Sequence, residues 1–270
     1  MSSPKLEHQH ELRPVSINCF MPQRVIFLSM NRPLLGRLLR KPPVIPTDCA
    51  SLDDMLDGGL PLGCITLVYG EAETGKTTLA TQCSVSCARM GLKALYLNFE
   101  GGFTVDRLAQ MAPFDWEDVA PKILVFSAED FQAQGRLIDR LESFVDEEVG
   151  LISVDAVNAL YRVSLSEGAD AFALNRELNR QMAVLARVAK DFNVAVLITS
   201  QVHEVPTEDG YRMEPLSTRV LKFWASIILK MEMTGRPRVR KITLEKHPEI
   251  RGRRTRYLKL EDEGFRDVRL

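Results

Sequence analysis

Gly70-Glu71-Ala72-Glu73-Thr74-Gly75-Lys76-Thr77-Thr78 stands between a short apolar run at 64–69 and a stretch of helical length at 77–90. Glycine at both ends of such a turn permits backbone angles that other residues resist, so consecutive amides can converge on one anion. The helix that opens there adds the partial positive charge of its N-terminus. This is the Walker A spacing, in the strand-to-helix context that it requires. It predicts a nucleotide site whose phosphates the amides of this turn face. Lys76 is placed to reach the β- and γ-phosphates, and the Thr77 hydroxyl to ligate Mg²⁺.

Such a loop also needs a carboxylate to hold the water shell of the metal. Gly150-Leu151-Ile152-Ser153-Val154-Asp155 supplies one, an acid at the end of a buried-strand pattern. A charge at the tip of so apolar a run is costly without a cationic partner. The plainer alternative is an aspartate that caps the next helix. Two more strand ends carry polar groups. The run at 93–98 leads into Phe99-Glu100-Gly101-Gly102, and the run at 194–199 leads to Gln201. Ligands of an open parallel sheet gather at the carboxyl ends of its strands. There Glu100 can orient and partly deprotonate an attacking water, and Gln201 can sense a γ-phosphate. Neither residue identifies a site by itself.

Strands alternate with helices through most of the chain, which predicts an α/β fold with a mostly parallel sheet flanked by helices. Further strands are expected at 122–126 and 151–154, and helices at 105–111, 133–145 and 172–192. In the last of these Leu174, Leu178, Met182, Leu185 and Val188 recur at helical spacing, the mark of a core stripe. After Phe223 the pattern changes. Three strand-like runs at 226–231, 240–245 and 254–260 have short connections, which predicts a C-terminal antiparallel extension of the sheet.

The 270 residues suffice for one large α/β domain. No apolar run reaches the ~20 residues of a membrane span, so a soluble protein without a membrane partner is expected. The net charge is −1 and excludes nothing. Its distribution is uneven: residues 12–47 carry six basic side chains and no acidic one, and 236–259 carry ten Lys or Arg against two acids. Such runs suit an anionic partner such as nucleic acid, or are simply a solvated face. The five cysteines form no CxxC pair, and Cys83 and Cys87 share a helix face, so neither a disulfide scaffold nor a zinc site is expected. A reducing cytoplasm fits. Residues 1–45 contain six prolines and little periodicity, and read as a poorly ordered N-terminal extension to an ATPase core over 46–270. Arg-rich, acid-poor N-termini of this kind resemble organellar transit segments; the alternative is that translation starts at Met30 and residues 1–29 are not translated.

The four strand ends YGEAETGKTT, LNFEGGF, ISVDAV and LITSQVH together resemble the RecA and RadA recombinase core in order and spacing. The upstream PTDCASLDDMLDGGLPLG is similar to the segment that opens that core. The tail LEKHPEIRGRRTRYLKLEDEGFRDV is most like the RadB branch, the short archaeal paralogues without the N-terminal helical domain. The resemblance implies Gly70 to Thr78 for the phosphates of ATP, Thr77 and Asp155 for Mg²⁺, Glu100 for water activation, Gln201 as γ-phosphate sensor and Arg107 stacked on adenine. A planar cation suits that last task.

Two loops carry single-stranded DNA in the strand-exchange members, and both depart here. The first, 158–170, has Arg162 as its one cation, and the second, 203–218, has four acids against Arg212. Carboxylates facing phosphates repel, so efficient strand exchange is not expected. No Phe-x-x-Ala segment occurs in residues 1–45, so filaments by that route are not expected, and homo-oligomers remain open. Arg251, Arg253, Arg254 and Arg256 can hold DNA through sequence-independent phosphate contacts, or belong to a subunit interface. Lys246 and His247 are the candidates for completing a neighbour's ATP site. The resemblance thus implies an ATP-binding accessory protein of DNA repair and homologous recombination, with weak ATPase activity and a RadA-type main recombinase as partner. The alternatives are a DNA-dependent ATPase that exchanges strands itself and a KaiC-like signalling ATPase with no DNA role.

Overall fold

A computed structural model describes residues 44–207, 210–215 and 217–268. Along the chain, β1 (Val44–Ile45), α1 (Ala50–Met55) and β2 (Leu60–Pro61) precede β3 (Ile65–Gly70) and α2 (Lys76–Arg89). Next come β4 (Lys93–Asn98), α3 (Val105–Met111), α4 (Trp116–Val119), β5 (Ile123–Phe126), α5 (Phe131–Asp139) and β6 (Val149–Asp155). They are followed by α6 (Ala159–Ser166), α7 (Ala171–Phe192), β7 (Ala195–Ser200) and the hairpin of β8 (Val202–Thr207) and β9 (Gly210–Pro215). The chain closes with α8 (Thr218–Trp224), β10 (Ile227–Met233), β11 (Val239–Lys246), β12 (Arg254–Glu261) and β13 (Gly264–Asp267).

Nine strands form one sheet in the order β13-β12-β11-β10-β3-β7-β6-β4-β5. From β10 to β5 the pairings are parallel, and from β10 to β13 antiparallel. The parallel strands are apolar on both faces because helices cover both. Val68, Tyr96 and Leu197 point to the side of α2, where Leu79, Ala80, Cys83 and Cys87 join them in one core. Leu67, Leu95 and Val196 point the other way, onto Leu178, Met182, Leu185 and Val188 of α7. Successive residues feed opposite cores, as the pleat dictates. α7 starts where the Asp170 carboxylate accepts from the amides of Phe172 and Ala173, at 3.1 and 3.2 Å. It stops at Asn193, which adopts a left-handed φ of 48°.

The sequence patterns place eight of the nine sheet strands, α2, α3 and α7 within a residue or two, while β13 and the short α1, α4 and α8 have no expected counterpart; Cys83 and Cys87 are fully buried as expected. Three segments differ. The helix expected over 133–145 ends at Asp139 and continues as a 3-10 turn at Leu141–Ser143. Ser143 donates to the Arg140 carbonyl from its hydroxyl at 2.7 Å, a side-chain bond that competes with helix continuation. The loop expected over 158–170 contains α6. The segment 203–218 holds the β8–β9 hairpin, while the acidic side chains expected there, and the extension over 1–43, lie outside what is described.

Candidate functional site

β3 delivers the chain to Gly70, whose missing side chain is a packing requirement: a Cβ there would lie 2.3 Å from the carbonyl oxygen of Met231 on β10. The turn then reverses through Glu73, at a φ of 62°, and Gly75, at 98°. A Cβ on Gly75 would meet the ring of Phe265 at 2.6 Å, so the C-terminal hairpin underpins the turn. Lys76 begins α2 with its ammonium folded back, donating to the carbonyls of Gly70 at 3.0 Å and Glu71 at 2.7 Å. Burial draws that ammonium below the ordinary lysine range, and the nearby carboxylates of Glu100, Asp155 and Glu71 oppose the shift.

A cleft of about 330 Å³ opens over this turn, lined by Ala72, Glu73, Lys76, Thr77, Glu100 and Gln201 among others. Parallel register brings the ends of β4 and β6 side by side, Asn98 opposite Asp155. The chain after β4 therefore carries Glu100 to the cleft and lays Gly102 against Thr77, where a Cβ would sit 3.3 Å from the Thr77 hydroxyl oxygen. Gln201 follows β7 and donates from its side-chain amide to Glu100, while accepting from the guanidinium of Arg162 on α6. Burial and the neighbouring Asp155 raise the Glu100 carboxyl above the usual range, against the pull of Lys76 and Arg162.

Asp155 is fully buried, and both its oxygens are held: Oδ2 by the Tyr96 hydroxyl at 2.9 Å, Oδ1 by Thr199 at 2.5 Å. A helix-capping role is excluded by these partners, since Asp155 caps no backbone amide of α6. Among the described residues no three His, Cys, Asp or Glu side chains cluster as a metal cage. One threonine hydroxyl and one fixed carboxylate beside a phosphate-sized cleft suit a cation that keeps its water and leans on ligand phosphates, as Mg²⁺ does. The donor set fits.

Other expected residues do not line the cleft. Arg107 donates to the carbonyls of Asp262 at 2.5 Å and Glu261 at 3.4 Å, tying α3 to the β12–β13 turn. β11 runs antiparallel to β10, so Lys246 pairs with Ile228 at the end of the sheet remote from the nucleotide turn. Six residues of strand separate it from Arg240, roughly 20 Å. Its ammonium donates to the carbonyls of Ala225 at 2.6 Å and Lys222 at 3.2 Å. His247 accepts the amides of Glu249 and Ile250 on Nδ1, at 3.2 and 3.1 Å, and burial lowers its pKa. Arg251, Arg253 and Arg254 are exposed at this same remote end. Arg254 and Arg256 share a strand face, as alternation predicts, and Arg256 bonds Asp54 of α1 at 2.8 Å.

Tyr96, Thr199, Arg162 and Arg240 were not among the residues expected at the site. Tyr96 and Thr199 had one legible signal: a polar group inside an apolar buried strand must find a partner. Arg162 and Arg240 gave none, because only the fold turns them toward the cleft and the loop.

Fold and cleft together define a P-loop protein of the RecA class. The chain matches the family model described as Rad51 over residues 41–268. It is 34% identical over 206 residues to the DNA repair and recombination protein RadB of Methanosphaera stadtmanae, covering 76% of this chain and 87% of that protein. To the protein of that name from Thermococcus onnurineus it is 34% identical over 228 residues, 83% of this chain and 98% of the relative. A crystal structure of the RadB recombinase superposes with a TM-score of 0.71 at 31% identity, covering 84% of this chain and all of the other. The chain belongs to the Rad51 family, in its RadB branch.

Proposed function

We propose that this protein is an ATP-binding accessory protein of DNA repair and homologous recombination, which binds DNA, hydrolyses ATP slowly and modulates a main recombinase of the RadA type. The observation that carries the nucleotide half is the convergence of Lys76, Thr77, Glu100 and Gln201 on one cleft, with Asp155 fixed beside it. The repair and recombination roles in the relatives' names support the other half.

In this reading the amides of 71–78 and Lys76 grip the phosphates, and Arg107 offers its guanidinium to the adenine. Thr77 and Asp155 would hold Mg²⁺, which when bound would neutralise phosphate charge. Glu100 takes the proton of an attacking water, which Gln201 helps to orient. Its raised pKa makes it a stronger base than an exposed glutamate. The exposed Arg251, Arg253 and Arg254 contact the backbone of single-stranded DNA without reading sequence.

The test is ATP hydrolysis with and without single-stranded DNA, for the parent and Lys76→Ala, alongside DNA binding against salt. Three phosphate contacts predict a log–log salt slope of roughly −2. Binding with little stimulation supports the accessory role. Strong stimulation transfers the case to a strand-exchanging ATPase, and no binding at low salt removes DNA from the account.

A further inference from the structure

A second cation stands behind the nucleotide turn. Arg240 lies on β11, between Met233 of β10 and Leu258 of β12, and is only 8% exposed. Its Nη2 donates to the carbonyl of Glu73 at 3.2 Å and its Nη1 to that of Val239 at 3.3 Å. Its Nε has no partner, and among the described residues no carboxylate pairs with it. A buried guanidinium without a counter-charge is costly, and the packing alone gives no reason for it: an apolar side chain of similar length would fill the space without that cost.

The geometry of the peptide supplies a reason. Glu73 is the non-glycine of the turn's two left-handed residues, and its carbonyl is the one Arg240 holds. In a planar trans peptide the carbonyl and the following N–H point in opposite directions. Pinning the Glu73 carbonyl against β11 therefore aims the Thr74 amide away from β11, into the turn. The hydrogen bond also polarises that peptide, strengthening its N–H as a donor. An anion inside the turn then answers both the aligned amide and the unpaired charge one peptide behind it.

We infer that Arg240 is a positioning residue for phosphate binding: a fixed cation on the antiparallel extension that aims the Thr74 amide and whose charge the bound phosphates offset. This rests on the nucleotide reading above. It also makes the C-terminal sheet part of the nucleotide site, although Arg240 itself does not line the cleft.

The experiment titrates fluorescent N-methylanthraniloyl-ATP with Mg²⁺ into the full chain and its Arg240→Lys, Arg240→Gln and Arg240→Met variants, and melts each without nucleotide. The expected result is affinity within about threefold of the parent for Lys and a loss of about tenfold for Gln and Met, the scale of one charge-assisted hydrogen bond. Without nucleotide, Met melts at or above the parent temperature, because the uncompensated charge is gone. A merely structural arginine gives the opposite pattern, a lower melting temperature with affinity unchanged. Should Met fail to fold, the Lys and Gln pair decides: equal affinities overturn the inference. A parent chain that binds no nucleotide would instead sink the nucleotide reading itself.

Discussion

The hydroxyl of Tyr96 donates to Oδ2 of Asp155 at 2.9 Å, and Thr199 holds the other oxygen at 2.5 Å, so the acid beside the nucleotide turn is fixed from two strands. Second partners of this kind orient the groups that hold a metal. Tyr96→Phe and Thr199→Val are therefore expected to weaken nucleotide binding in Mg²⁺ severalfold while leaving binding in EDTA unchanged. Isothermal titration in both buffers checks this, and equal losses in both would contradict it.

Glu100 is separated from phosphate binding by its chemistry, which accepts protons rather than donating them. Glu100→Gln is expected to keep nucleotide affinity within a few-fold and to slow hydrolysis by about two orders of magnitude or more. Steady-state phosphate release beside equilibrium binding tests the pair. A variant that hydrolyses at the parent rate removes Glu100 from the mechanism.

Phe265 is fully buried beneath Gly75, and Gln82 clamps its backbone, accepting its amide at 2.6 Å and donating to its carbonyl at 3.2 Å. Phe265→Ala is expected to cost about 3–5 kcal/mol and to weaken nucleotide binding along with stability. Urea unfolding measures the first, and a loss below about 1 kcal/mol would show that the hairpin does not brace the turn.

The parallel half of the fold was legible because its physics is local. Apolar runs of strand length, one glycine-bracketed turn and the five-residue stripe of α7 each declare themselves within a short window. Asp155 and Glu100 were legible from a topological rule, that strand ends share one edge. What escaped depends on partners far along the chain. Arg240 reads as one more basic residue in a basic stretch until the β10–β11 register carries it to Glu73, 167 residues away in sequence. Lys246 reads as a free charge until α8 ends beneath it and presents carbonyls. Helix α6 escaped because it is only eight residues long and leaves apolar Val163 exposed beside Arg162, so its apolar spacing marks no buried stripe.

Asp267 accepts the Ser51 amide at 3.0 Å and the Cys49 thiol at 3.4 Å, joining β13 to the start of α1. The Ser51 bonds lower its pKa below the usual aspartate range. A folded pKa below the unfolded one gives stability that is present above the ordinary value near 3.9 and lost as pH falls through the folded value. The melting temperatures of the parent and Asp267→Asn should differ at pH 6, converge below about pH 4 and coincide at lower pH. A gap that widens on acidification would reverse the assignment.

The most direct test of the whole account is a calorimetric titration of Mg²⁺·ATP into the parent chain and into Lys76→Ala, each first shown to melt cooperatively. Saturable binding of one nucleotide per chain is expected, weakened roughly a hundredfold when the ammonium is removed. Equal affinity in the two proteins, or no binding by the parent, would contradict it.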